Sequence, residues 1–239
     1  LDEILSCSPM TEASPIPDPA SEVESWLRAS LPDSWVSLVD HGRSPGPPDL
    51  YEDFNKEEWL AELFRRRLLM SAWPTEYGGL GWSPEVALSG LQQLARYEVP
   101  LPLYVTSQVL AGSGLLEFGT PEQRAKFLPG IVSFDETWCQ LFSEPEAGSD
   151  LAALRTQAVA DGDHWVVTGQ KVWATWAHFA KWGLLLARTG SSASLHGGIS
   201  CFILAMNSPG VDVRPLLQMT GEESFNEVFM DDVMIDDSM

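Results

Sequence analysis

The chain has 239 residues, a length that fits one large domain or two ordinary ones. Its 44% hydrophobic and 20% charged content supplies a sizeable core and excludes a disordered, collagenous or fibrous chain. Fourteen Lys and Arg against 34 Asp and Glu leave a net charge of −20, which repels phosphate backbones and argues against nucleic acid or an anionic membrane as a general partner.

The N-terminus (LDEILSCSPM) has neither the basic nor the apolar region of a signal peptide, and it lacks an initiator Met. Met10 is a candidate natural start, and the whole is expected to be a fragment. Residues 8–20 are rich in Ser and Pro and read as a mobile tail, 1–20 in all. Ser21 and Glu24 form an S-x-x-E capping box, followed by Val23, Trp26, Leu27 and Leu31 at helical spacing.

Residues 40–50 are a loop. A second helix opens at Asn55 and Glu58, with Trp59, Leu60, Leu63 and Phe64 on one face. The glycine-rich stretch 72–83 is a turn-rich loop. Ser83 and Pro84 supply an N-cap and a Pro at N1 for a helix to about Glu98, with Val86, Leu91, Leu94 and Ala95 inward. A further helix spans about 102–117. Thr120 and Gln123 then cap a short one that Pro129-Gly130 is expected to stop.

After about residue 136 the pattern changes. Residues 156–160 and 164–168 flank the turn Asp161-Gly162-Asp163 as a hairpin. Strands are predicted at 182–187, 199–206, 211–217 and 226–233. The expected fold class is α+β: an N-terminal helical bundle (21–135) followed by a small antiparallel β-sandwich or barrel domain (136–239).

No P-loop, HExxH or G-x-S-x-G motif is present. Gly112-Ser113-Gly114 lies inside a helical pattern and is not a dinucleotide fingerprint. The four histidines and the widely spaced Cys7, Cys139 and Cys201 match no metal-ligand or disulfide framework, so no metal is predicted and a reducing, cytoplasmic setting fits. No apolar run approaches the ~20 residues of a membrane span.

Two stretches stand out. In 138–150, Ser143, Glu144, Pro145, Gly148, Ser149 and Asp150 gather hydroxyls and turn residues after an apolar run, either an ordinary turn or a set of donors for an anionic or carbonyl-rich ligand. In 169–175, Trp173 and Thr175 share parity, so on a strand they share a face, facing either the sandwich core or a flat heteroaromatic ring.

Taken in order, PTEYGGLG, the TPEQ helix, FSEPEAGSD and GQKVWAT resemble the acyl-CoA dehydrogenase family, and FNEVFMDDV at 225–233 its actinobacterial branch. The resemblance runs from about residue 55 onward. It implies an N-terminal helical domain and a middle β domain, with the C-terminal helical domain missing from this chain. It implies FAD as cofactor, with Gln140, Phe142, Ser143, Trp173 and Thr175 at the flavin and Ser149 at the acyl-CoA; Pro74, Gly78 and Gly79 match a structural loop. The implied reaction is desaturation of an acyl-CoA thioester in lipid metabolism, by α-proton abstraction and β-hydride transfer to the flavin. Electron-transfer flavoprotein is the implied acceptor, and homo- or hetero-oligomers are implied for the full-length protein.

The catalytic glutamate usually lies in the missing domain, so no catalytic residue is assigned, and the fragment alone is expected to be inactive and to bind FAD weakly. Two departures stand out: Glu146 replaces a common Gly, and Thr220-Gly221-Glu222-Glu223 puts two carboxylates where many members carry a basic residue. Two alternatives are a non-catalytic subunit of a heteromeric dehydrogenase and an acyl-CoA-binding module without redox activity.

Overall fold

The computed structural model describes residues 19–102, 105–190 and 197–239. The expected tail, Met10, Cys7 and His196 therefore lie outside the described residues, except for Pro19 and Ala20. Packing gathers the chain into two compact units, one from within 1–55 plus 83–99 and the other from 56–82 plus 100–239.

The first unit holds α1 (Pro19–Ser30), α2 (Asp33–Asp40) and, beyond α3, α4 (Pro84–Arg96). Its core is Val23, Trp26, Leu27, Trp35 and Leu94. Trp35 is fully buried; its indole N–H donates to the Tyr97 carbonyl at 2.8 Å, and its ring meets Tyr51 and Phe54. A buried indole needs such a partner. The Ser83 hydroxyl caps α4 through the Val86 N–H. Ser21 is no cap: α1 begins at Pro19, and Ser21 lies inside it with its carbonyl accepting from the Ser25 hydroxyl. The sequence reading also passed over α2.

The second unit holds α3 (Lys56–Arg66), α5 (Val105–Phe118), α6 (Pro121–Ser133) and a curled seven-stranded sheet. Its strands are β1 (Trp138–Leu141), β2 (Gln157–Asp161), β3 (His164–Thr175), β4 (Trp182–Arg188), β5 (Ile199–Ala205), β6 (Val211–Leu216) and β7 (Phe225–Asp236). The Thr120/Gln123 capping box is present in both directions. Pro129 does not end α6, because Phe127, Leu128, Ile131 and Val132 form one buried face that outweighs the lost hydrogen bond.

The strand order is β1-β4-β2-β3-β7-β6, with β5 on the other edge of β4. The β2–β3 hairpin turns through Gly162 at φ +67°. Most pairs are antiparallel as expected, but β1 runs parallel to β4, pairing Trp138 with Trp182 and Leu141 with Leu185. The chain between them forms β2 and β3, which is a crossover rather than a hairpin.

One face of the sheet buries Leu141, Val167, Leu185, Phe202, Leu204, Val228 and Val233. A second core joins Met70, Trp73, Ala111, Leu115, Phe127, Ile131, Trp138 and Ile203. That second core explains why Phe202, Ile203 and Leu204 are buried in succession on β5: both faces of the strand are covered there. Among the described residues no helix is long and apolar enough to cross a membrane.

Candidate functional site

Strand β3 turns Val167 and Lys171 inward, although its pairing with β7 already shifts register once between Val167 and Gly169. Continued alternation would bury Trp173 as well. Instead a bulge falls between Lys171 and Ala174 in the pairing with β7, and Trp173 takes a left-handed φ of +60°. A bulge adds one residue to its strand and redirects the side chains that follow. Ala174 therefore turns inward, and Trp173 is left 61% exposed. Thr175 is exposed as well, so the two expected to share a face do share exposure. The indole stands edge-on to Phe225 at 5.9 Å. A left-handed conformation is uncommon for a bulky residue and marks a position that its surroundings hold in place.

The 142–150 loop begins where β1 ends. Phe142 and Ser143 are half-buried, and both carbonyls are taken up by β3: Lys171 Nζ donates to Phe142 O at 3.1 Å and the Val172 N–H to Ser143 O at 2.9 Å. The two stretches singled out from the sequence thus meet directly. Gln140 flanks them, exposed on β1 opposite Leu184. Ser149 flanks them on the other side, exposed in the turn that follows.

Two charged residues hold this junction: Glu144, which the sequence offers among the turn residues of the loop, and Lys171, to which it assigns no role. Lys171 is fully buried, with Nζ 2.8 Å from Oε1 of buried Glu144. That carboxylate also accepts the backbone N–H groups of Thr156 (2.9 Å) and Arg155 (2.6 Å), while Glu144 closes a tight turn with Ala147 through its own backbone. The available signal was Lys171 itself, a charged residue at an inward parity position of an apolar strand.

Burial alone would raise the Glu144 carboxyl; the hydrogen bonds from Lys171 and from the Arg155 and Thr156 N–H groups outweigh it and hold the group below the usual carboxylate range. Burial lowers the Lys171 ammonium, against the opposing pull of Glu144. A carboxyl depressed by folding contributes stability above its unfolded pKa and loses it as pH falls through the folded one. Urea midpoints measured from about pH 5 down to pH 3 should therefore fall less steeply for Glu144→Gln than for the parent. Parallel slopes would show that the Glu144 pair contributes nothing to acid stability.

Glu146 is exposed and pairs with Arg155, a surface contact worth little. The Thr220–Glu223 segment forms the turn between β6 and β7, with Gly221 at φ +84°. Cys139 and Cys201 are free thiols, and burial pushes Cys139 up to about 12, which makes it inert.

An exposed indole next to an exposed hydroxyl, on a strand pinned to a loop of carbonyls and turn residues, fits a planar heteroaromatic group with polar edges. Residues 45–135 match the acyl-CoA dehydrogenase N-terminal domain and residues 139–233 the acyl-CoA dehydrogenase middle domain. The chain is 40% identical over 217 residues to acyl-CoA dehydrogenase IpdE1 of Mycobacterium tuberculosis, covering 90% of this chain and 56% of that protein. It is 48% identical over 172 residues to acyl-CoA dehydrogenase FadE34 of the same organism, covering 72% of this chain and 24% of that protein. In structure it is similar to a chain of the ChsE4-ChsE5 complex from M. tuberculosis, with a TM-score of 0.69, 30% identity, and coverage of 96% of this chain and 56% of that one. The chain thus spans about half the length of IpdE1 and less of FadE34. Two adjoining domain matches in the family's own order, over a helical part and a curled sheet, establish that this chain belongs to the acyl-CoA dehydrogenase family.

Proposed function

We propose that this chain is part of a FAD-dependent oxidoreductase that desaturates an acyl-CoA thioester between its α and β carbons. The observation that carries the reading is the bulge that turns Trp173 outward beside Thr175. In this reading Trp173 supplies a stacking surface for the flavin and Thr175 donates to a nitrogen at the ring edge. Gln140, Phe142 and Ser143 border the ring, and Ser149 meets the acyl-CoA. The chemistry supplied by bound FAD is acceptance of the β-hydride. No residue of this chain is assigned to remove the α-proton. We further assign electron-transfer flavoprotein as the acceptor, the cytoplasm as the location, and 21–135 and 136–239 as the domains.

The test is made in the flavin-loaded, full-length protein. One neutral hydrogen bond contributes about 0.5–1.5 kcal/mol, and 1.36 kcal/mol is tenfold in rate. Thr175→Ala is expected to slow flavin reduction by roughly three- to tenfold, and Thr175→Val to match it, since both lose the donor. Trp173→Ala should chiefly weaken FAD binding through the lost ring surface. Stopped-flow reduction and FAD titration separate the two effects; parental behaviour of both Thr175 variants would remove the assigned role.

A second reading, a subunit of a heteromeric dehydrogenase, is favoured by the likeness to the ChsE4-ChsE5 complex. Anaerobic bleaching of the flavin by an acyl-CoA, without a second polypeptide, would rule that subunit role out.

A further inference from the structure

We propose that the buried Lys171–Glu144 ion pair is a positioning device, which sets the register of the two flavin-facing segments against each other and so fixes where Trp173 stands. The inference rests on the flavin reading above.

The pair lies between those segments. Glu144 directly follows Phe142 and Ser143, and Lys171 is two residues before Trp173. The side chains are 0% and 7% exposed, so solvent neither screens the contact nor competes for it. The ammonium bonds both to the Glu144 carboxylate and to the Phe142 carbonyl, so one side chain grips two points of the loop. The carboxylate is gripped in turn by the Arg155 and Thr156 N–H groups, which fixes the far end of the same loop. The Val172 N–H to Ser143 carbonyl bond adds a second tie one residue away. Immediately after this double tie the strand bulges and Trp173 swings out.

A buried pair is a weak source of net stability, because desolvation offsets its attraction, and apolar replacements of similar volume often serve as well. Its bonds are directional, however, and apolar contacts are not. An apolar junction would leave the loop free to slide on β3 by fractions of an ångström, and the left-handed residue 173 would lose its support. A preorganised surface binds more tightly than one that must be ordered by the ligand. Lys171 and Glu144 touch no reacting atom in this account; they act through Trp173 and the Phe142–Ser143 stretch.

The experiment compares the parent with Lys171→Met/Glu144→Gln, which removes both charges together, and with Glu144→Asp, which keeps the charge but shortens the reach. FAD dissociation constants, visible circular dichroism of the bound flavin and apoprotein melting are measured for each. For the double variant we expect an apoprotein that still folds, FAD binding weakened roughly tenfold, and an altered flavin dichroism band. For Glu144→Asp we expect the same changes at a smaller size. A purely structural pair would lower the melting temperature and leave the affinity and dichroism of the folded fraction unchanged, and that result overturns the proposal. Should the double variant not fold, Glu144→Asp decides: parental affinity and dichroism overturn the proposal. All three are measured in the full-length protein; a full-length parent that binds no FAD refutes the flavin reading itself and the proposal with it, an outcome distinct from a parent that binds and variants that bind equally well.

Discussion

Gly112→Ala is expected to lower stability by about 3 kcal/mol, the upper end of the range for overpacking. A Cβ at 112 would stand 1.8 Å from Cη2 of Trp73, and the indole is itself fixed in a packed core. Gly79→Ala should be as damaging, since its Cβ would lie 2.1 Å from the Trp73 carbonyl oxygen and the obstacle is backbone. For a chain of this size about 3 kcal/mol lowers Tm by about 6–12 °C. Gly114→Ala is the control. Nothing lies within 4 Å of its Cβ position, and the helix should gain up to about 1 kcal/mol. Thermal melts of the three variants that coincide would show that Trp73 is not wedged between these glycines.

The second large effect is expected at Trp138, which is fully buried where the helical layer meets β1. Phe127 of α6 meets its ring edge-on at 5.6 Å, Trp182 of β4 lies at 6.2 Å, and Phe127 and Trp182 meet each other at 5.1 Å. Trp138→Ala empties that space and should cost about 3–5 kcal/mol. Trp138→Phe keeps most of the surface and should cost clearly less. Urea unfolding followed by far-UV circular dichroism measures both, and an alanine variant within about 1 kcal/mol of the parent would mean that the three-ring contact adds little beyond ordinary burial.

What the sequence revealed and what it concealed divide along physical lines. Local chemistry was readable. Ser83 and Thr120 carry their helix starts in a few adjacent residues, and Asp161-Gly162-Asp163 carries its own turn. Pro129 was misread because a local rule was outvoted by four buried side chains on the same helix. Ser21 was misread because a motif of two residues matches by chance, and the helix already includes Pro19 and Ala20.

The candidate site was half readable. The residues around Ser143 and Trp173 declared themselves by composition, and exposure of Trp173 and Thr175 agrees with the parity argument. The bulge that makes this so depends on register with β7, more than 50 residues away, and no window on β3 alone contains it. The Glu144–Lys171 pair was hidden for the same reason, since 27 residues separate partners that only the fold brings together.

The parallel pairing of β1 with β4 also bears on how the protein is made. Residue 138 pairs with residue 182, 44 positions later, from the difference 182 − 138. At roughly 5–20 residues per second, β1 leaves the ribosome about 2–9 s before its partner exists. The β2–β3 hairpin, with its tight turn, closes in microseconds once both strands are out. During that interval Trp138 can pack against Phe127 and the rest of its helical core, while Leu141 lacks its partner Leu185. The nascent chain must therefore keep its first strand open while later ones pair. On this order of synthesis the β2–β3 hairpin precedes the β1–β4 pairing, and the segment leading into Phe142 and Ser143 takes its place in the sheet only once β4 is out.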